Sequence, residues 1–114
     1  MPLTSDELNN IVNTETSRFT YLSLHTAAPD ATGSAEVADT TYARQPNTWN
    51  PAANGAASGQ QTAFNCDPAT FSHFGFWDSP TGGTFFGAQA LDAPATLTDA
   101  GVVKVTPNFQ VTSS

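Results

Sequence analysis

The side chains best suited to metal or acid–base chemistry are His25, His73, Cys66 and Asp78. Imidazole, thiolate and carboxylate groups are good zinc ligands, and three or four of them must converge on the ion. The sequence has neither an HxxxH pair nor a CxxC pair that would bring such groups together. We therefore predict that both imidazoles lie at strand positions and hydrogen-bond to the backbone or to neighbours. We expect no metal and no other cofactor.

Ser72, His73 and Asp78 are the residue types of a nucleophilic triad. Neighbouring residues of a strand point to opposite faces, so Ser72 is not expected to reach His73. The sequence also lacks the GxSxG turn that exposes a nucleophilic serine. A pair of acids could flank a sugar cleft, but no spacing singles out such a pair among the ten acidic residues. We predict no catalytic residue and no enzymatic activity.

Cys66 and Arg44 are the two remaining reactive or charged side chains of interest. Cys66 lies between Asn65 and Asp67, which offer no positive charge to lower the pKa of its thiol, so we expect a buried apolar residue. Arg44 is one of only three bases. Its guanidinium could form an internal ion pair, to Glu36 or Asp39, or it could reach an acidic patch on a partner protein. The sequence leaves both roles open.

The length of 114 residues predicts a single domain, residues 1–114, with a helical arm over 1–17 and a β domain over 18–114. The net charge is −7 and only 11% of residues are charged. Binding to nucleic acid or to an anionic membrane needs clusters of Lys and Arg, so neither partner is expected. The single cysteine excludes an internal disulfide, and there is no apolar run of about 18 residues that would span a membrane.

The N-terminal segment predicts a helix from Thr4 to Asn13. Thr4 and Glu7 have the spacing of a capping box. Leu8, Ile11 and Val12 then follow helical spacing and form one apolar stripe. A helix of about ten residues is marginal in water. We therefore expect it to lie on the sheet of its own chain or on a neighbouring subunit.

After residue 18 the pattern changes to short alternating strands separated by turns. The predicted strands cover residues 19–25, 42–49, 61–66, 71–77, 84–91, 93–97 and 102–111. The connections 27–41 and 50–59 are predicted loops, and 79–83 is a hairpin turn. One helix followed by many short strands predicts a mainly β fold, either an antiparallel β-sandwich or a jelly-roll-like barrel.

Strand 71–77 is the expected central strand because it carries aromatic residues on both faces. Alternation would place Phe71 and Trp77 on one face and Phe74 and Phe76 on the other. These rings are expected in the core, with one face available as an interface anchor. An exposed Trp49 or Trp77 could instead stack on a sugar. The predicted partner or oligomer contacts are Leu8, Ile11, Val12, Tyr42, Arg44, Trp49, Phe74, Phe76 and Trp77.

The order of several short motifs resembles a family of small tailed-bacteriophage virion proteins, usually labelled tail-fibre or minor tail proteins. The motifs are YLSLHTAAP at 21–29, EV at 36–37, YARQ at 42–45, HFGFWD at 73–78 and TGG at 81–83. The resemblance implies a structural protein located in the virion, assembled in the host cytoplasm, with no catalytic site to carry over.

Two roles within the virion follow from that resemblance. The small size and low charge favour a capsid decoration or cement protein that binds the major capsid protein or other virion proteins, as a homo-oligomer and preferably a homotrimer. The alternative is a tail-fibre or minor tail protein that recognises a glycan on the host surface.

Overall fold

A computed structural model describes residues 3–111 of the chain. The predicted domain also includes residues 1–2 and 112–114, which lie outside the described residues. The elements are α1 Ser5–Thr16, β1 Tyr21–His25, β2 Gln45–Pro46, β3 Ala56–Ser58, β4 Thr62–Cys66, β5 Ala69–Trp77, β6 Phe85–Leu97, β7 Gly101–Val105 and β8 Asn108–Gln110.

The strands form three antiparallel sheets that pack together. Strands β2, β1, β5 and β6 make a four-stranded sheet in that order, while β3 pairs with β8 and β4 pairs with β7. The prediction of a mainly β, sandwich-like fold is confirmed. The jelly-roll-like barrel is not what forms, because the sheets of the described chain do not close on themselves.

Helix α1 begins where the capping residues predict. The Thr4 hydroxyl accepts a hydrogen bond from the Glu7 amide at 3.2 Å. The helix ends at Thr16, three residues later than predicted. Tertiary contacts explain the extension, because Asn9 and Asn13 accept hydrogen bonds from backbone amides of the 50–59 segment, at 2.8 and 3.0 Å. The helix therefore lies on its own chain, against β3 and β8.

Several strand predictions were wrong in their extent. Strand 42–49 shortens to β2, because Pro46 has no amide hydrogen for a longer ladder. The predicted loop 50–59 contains β3, which forms because β8 supplies a partner far along the chain. Strands 84–91 and 93–97 are one continuous β6. Strand 102–111 is divided around Pro107 into β7 and β8, which pair in different sheets.

An irregularity in the pairing of β5 with β6 changes which side chains share a face. The pairs pass from Phe71–Ala95 directly to His73–Ala90, so Ser72 has no partner in the ladder and lies opposite the four unpaired residues 91–94 of β6. Phe71 is consequently buried in the same core cluster as Phe74 and Phe76, whereas simple alternation had placed it beside Trp77. Trp77 is also buried but lies outside that cluster.

The four-stranded sheet thus has two different faces. The core face carries Leu22, Leu24, Phe74 and Phe76, which pack against the two small sheets. Phe19 stacks on Phe76 with ring centroids 4.8 Å apart. The opposite face, here called the clamp face, carries Ser23, His25, Gly75 and Trp77 and is covered by loop 27–41.

Candidate functional site

The clamp face contains a chain of directed hydrogen bonds. His25 Nδ1 lies 2.8 Å from the carbonyl oxygen of Ser34, which can only accept, so Nδ1 carries the proton. His25 Nε2 therefore accepts from Ser23 Oγ, 2.6 Å away. Ser23 Oγ in turn accepts from Trp77 Nε1 at 2.8 Å. In this network each polar side-chain atom of Ser23, His25 and Trp77 therefore has a specific partner.

The Ser23–His25 contact resembles half of a nucleophilic dyad, but its surroundings point to a structural role. Both side chains are fully buried, so a substrate has no access to the serine oxygen. Burial lowers the pKa of His25 from its usual value, which keeps the ring neutral. The sequence offered one signal for this network, a serine between two leucines in a buried strand.

The prediction that Ser72 cannot meet His73 was wrong. Ser72 Oγ lies 2.7 Å from His73 Nδ1. The reason is the irregular pairing of β5 with β6 at this point, because the alternation of side chains between the two faces fails where Ser72 has no partner in the ladder. The third residue does not join them: Asp78 accepts a hydrogen bond from the Thr84 amide at 2.8 Å, across the β5–β6 turn. No triad is assembled within the described residues.

The candidate metal ligands are also separated. No three His, Cys, Asp or Glu side chains of residues 3–111 converge on a common point. Cys66 is buried, as predicted, and burial raises the pKa of its thiol to about 11, with further contributions from Asp39 and Asp67. A thiol of that pKa is a poor nucleophile at neutral pH.

Arg44 is held within the chain by contacts on all sides. Its Nε and Nη2 atoms donate to the two carboxylate oxygens of Glu36 at 2.9 and 3.0 Å. Nη1 donates to the carbonyl oxygens of Ser79 and Gly82 at 3.1 and 2.8 Å. The guanidinium carbon lies 3.4 Å from the ring centroid of Trp77. Of the two roles left open by the sequence, the geometry supports the internal one, with Glu36 as the ion-pair partner.

Tyr42 connects Glu36, the ion-pair partner of Arg44, to strand β1 of the sheet. Its hydroxyl donates to Glu36 at 2.7 Å and accepts from the Leu24 amide at 3.1 Å. Burial and the bond to Glu36 raise the pKa of Tyr42. Asp39, the other expected partner of Arg44, instead accepts from the amide of Tyr42 at 2.7 Å. Loop 27–41 is therefore fastened to the sheet through Glu36 and Tyr42.

The nine predicted contact residues divide by burial. Four are buried within the chain: Val12, Phe74, Phe76 and Trp77. Five are half-buried: Leu8, Ile11, Tyr42, Arg44 and Trp49. The role of these nine residues in contacts with a partner stays a prediction.

One surface cleft is built from neutral polar groups around Trp49. It has a volume of about 470 Å³ and lies between the end of α1 and the segment after β2. Its lining is Asn13, Thr16, Ser17, Thr20, Asn47, Thr48, Trp49, Asn50 and Pro51. Trp49 donates from Nε1 to the Phe19 carbonyl at 2.8 Å. Of the two tryptophans considered for sugar stacking, only Trp49 is at the surface, since Arg44 covers Trp77.

A second cleft lies between β6 and β7, where the sandwich is open. Its volume is about 430 Å³, and it reaches inward to Phe74. Asp92 from β6 and Lys104 from β7 line it and bring the two signs of charge to one surface. The sequence analysis missed this cleft because it depends on the spacing of two sheets.

No described helix is both long and apolar enough to cross a membrane.

Comparison with known protein families identifies relatives of the chain. The model of a protein family described as Gp80, podophage GP4 fiber I protein gp80, matches residues 5–112. The matched range includes every described helix and strand. No curated protein matches the chain.

Proposed function

The chain belongs to the podophage GP4 fiber I protein gp80 family, and from that premise we propose that it is a tail-fibre protein. As a member of this family it is a structural component of a tailed-phage virion. The observation that carries the proposal is the extent of the match, which covers the whole fold rather than one motif. The family description favours the fibre over the capsid decoration role that size and charge predicted.

The structure supports a mechanical rather than a chemical role for this subunit. Ser23 and His25 are buried, Asp78 is engaged in a turn, and the half-buried Ser72–His73 pair has no acidic third member. Arg44 ties loop 27–41, through Glu36, to the β5–β6 turn, through Ser79 and Gly82. We infer that the subunit acts without catalysis, by holding these two segments rigid against other virion proteins.

The test of the proposal is the location of the chain in purified virions. Gold-labelled antibodies against the chain should mark the tail, and quantitative mass spectrometry should give a copy number far below that of the major capsid protein. Labelling over the head, with a copy number comparable to the capsid protein, would contradict the fibre role. Absence from the particle would contradict the virion role altogether.

Recognition of a host-surface glycan is a second candidate function, favoured by the Trp49 cleft. Its lining is rich in amide and hydroxyl groups, which hydrogen-bond to sugars, beside a half-buried indole that can stack on a pyranose ring. Uncharged polar side chains with one aromatic platform suit a neutral oligosaccharide.

The glycan role can be tested by filling the cleft. Thr48 is exposed at its rim, so Thr48→Arg should block the cleft without disturbing the core. Binding to oligosaccharides from the host cell surface should be lost in this variant. It should persist in Thr81→Arg, a matched change in the exposed β5–β6 turn. Equal binding by both variants, or none by the unaltered protein, would remove this function.

A further inference from the structure

The turn that precedes β3 contains the only Asn–Gly dipeptide of the sequence, Asn54–Gly55. Ala53 and Ala56 exchange backbone hydrogen bonds of 2.8 and 3.0 Å across it. Both central residues have positive φ, 52° at Asn54 and 76° at Gly55. This is the backbone of a type I′ turn, for which Asn–Gly is a preferred pair. The fold thus selects a dipeptide that has a reactivity of its own.

An asparagine followed by glycine can lose its side-chain amide without an enzyme, because glycine has no side chain to hinder ring closure. The Gly55 nitrogen loses its proton to water or hydroxide and bonds to Cγ of Asn54. The bond from Cγ to the side-chain nitrogen breaks, and that nitrogen leaves as ammonia with the proton. Water then opens the succinimide ring at either carbonyl and leaves aspartate or isoaspartate at position 54. The net change is hydrolysis of one amide by solvent water, with no oxidation or reduction.

The two reacting groups differ in their surroundings. Asn54 is exposed, and within residues 3–111 no hydrogen bond holds its side-chain amide. Gly55 is buried, and its N–H donates to Oδ1 of Asn9 on helix α1 at 2.8 Å. The proton that the reaction must remove therefore points at the helix rather than at solvent. The ring can close only after this hydrogen bond has opened.

Gly55 is also the point where the turn meets the helix and the end of β8. Its carbonyl oxygen accepts a hydrogen bond from the Val111 amide at 2.9 Å. A Cβ added at Gly55 would lie 2.9 Å from the Val111 carbonyl oxygen and 3.3 Å from Cβ of Leu8. An isoaspartate adds one methylene to the main chain directly before this closely packed residue. The hydrogen bonds of Gly55 to Asn9 and Val111 cannot both survive that insertion.

We propose that Asn54 is a site of spontaneous deamidation whose rate is set by helix α1, because Asn9 holds the attacking Gly55 amide while the helix is docked. The docked helix protects the turn, and an isoaspartate formed in the turn weakens the docking. Virion proteins are not replaced after assembly, so the product accumulates with the age of the particle. This holds whether the protein resides in the tail or the head.

The first test compares the unaltered protein in its native state and in urea, at mildly alkaline pH, by peptide mapping with mass spectrometry. Asn54 should deamidate at least about tenfold faster in urea, where the helix no longer holds the turn. Asn108 is the internal reference, because it is equally exposed but is followed by Phe109, and it should react far more slowly in urea. Equal rates at Asn54 in the two states would overturn the protection by the fold. A faster reaction at another asparagine would overturn the site.

The second test removes the protecting hydrogen bond. Asn9→Ala should speed deamidation of the folded protein about fivefold, the factor that one hydrogen bond contributes to an opening equilibrium. Asn13→Ala is the matched control, because Asn13 lies one turn later in α1 and accepts from the Ala52 amide at 3.0 Å. It removes an equivalent helix contact but leaves the Gly55 amide held, and its effect should be much smaller. Equal acceleration in both variants, or none in Asn9→Ala, would overturn the role of Asn9.

Thermal unfolding shows whether both variants are folded at the temperature of the incubation. If Asn9→Ala is not, hydrogen exchange of the Gly55 amide in the unaltered protein decides the question. Exchange much slower than that of an exposed amide is expected. Exchange as fast as that of an exposed amide would overturn the protection.

Discussion

The core face and the clamp face of the four-stranded sheet belong to the same strands, but apolar packing stabilises the first and directed hydrogen bonds stabilise the second. On the core face, rings and aliphatic side chains pack without fixed partners, and what matters is the volume they fill. On the clamp face, Ser23, His25 and Trp77 each have a specific hydrogen-bond partner. The core face therefore holds the sheets together, whereas the clamp face determines where loop 27–41 and the β5–β6 turn are placed.

This difference predicts that the core face is the more sensitive to loss of volume. Phe76 contacts the rings of Phe19, Trp49, Phe74 and Phe109. Phe76→Ala should lower the free energy of unfolding by about 3–5 kcal/mol through a cavity that its neighbours cannot fill. Urea unfolding followed by tryptophan fluorescence measures the change. Phe76→Leu, which keeps most of the volume, should lose much less, and equal losses would contradict the packing argument.

The clamp face should instead be sensitive to geometry at constant charge. Arg44→Lys keeps the positive charge but loses the paired contact with Glu36 and the stacking on Trp77, and should reduce the free energy of unfolding by about 2–3 kcal/mol. Arg18→Lys is the matched control, because the Arg18–Glu15 pair is exposed and 3.5 Å long. It should change stability by less than about 0.5 kcal/mol. If both variants lose equal amounts of unfolding free energy, the contacts of Arg44 with Glu36 and Trp77 are not what stabilises this face.

The clamp face is also closely packed at Gly75. A Cβ added there would lie 2.7 Å from Ser23 Oγ and 2.9 Å from His25 Nε2. Gly75→Ala should therefore cost about 1–3 kcal/mol of unfolding free energy and disturb the hydrogen-bond chain. Gly101→Ala has no neighbour closer than 3.7 Å and should be tolerated. Thermal unfolding of the two variants compares them, and equal melting temperatures would show that the network can move aside.

The smallest expected effect is a dependence of stability on pH that arises from the clamp face. Burial lowers the pKa of His25 below its usual 6.5, so the unfolded chain takes up a proton at a higher pH than the folded one. The free energy of unfolding should be constant above about pH 7 and should fall as the pH drops below 6.5, by at most about 1.4 kcal/mol per pH unit for one group.

Urea unfolding at pH 7.5 and pH 5.5 measures this slope. The slope should persist in His73→Gln, which leaves His25 and its partners in place. A midpoint that is unchanged or higher at pH 5.5 would show that the buried ring is not held in its neutral form.

The sequence predicted the fold class and many local elements because they depend on short-range patterns. Thr4 and Glu7 located the start of the helix, and the alternating residues 21–25 and 62–66 located two strands. The buried state of Cys66 also followed from its immediate neighbours. These features need only the chemistry of adjacent residues.

The irregular pairing around Ser72 was not predictable in the same way. It arises because residues 91–94 of β6 lie opposite Ser72 without pairing, and it moved Phe71 into the core and brought Ser72 to His73. Strand β3, likewise, exists because β8 lies beside it. In each case a partner distant in the sequence decided the outcome over the local pattern.

By itself the sequence determined that this is a mainly β protein with an N-terminal helix, and the order of its motifs already indicated a phage virion protein. Tertiary structure decided that Arg44 binds Glu36 within the chain, and that Trp77 is covered while Trp49 is at the surface. The physical reason is the distance along the sequence between the residues that interact. Capping and alternation act between residues a few positions apart, whereas ion pairs and covered rings depend on how separate strands meet in space.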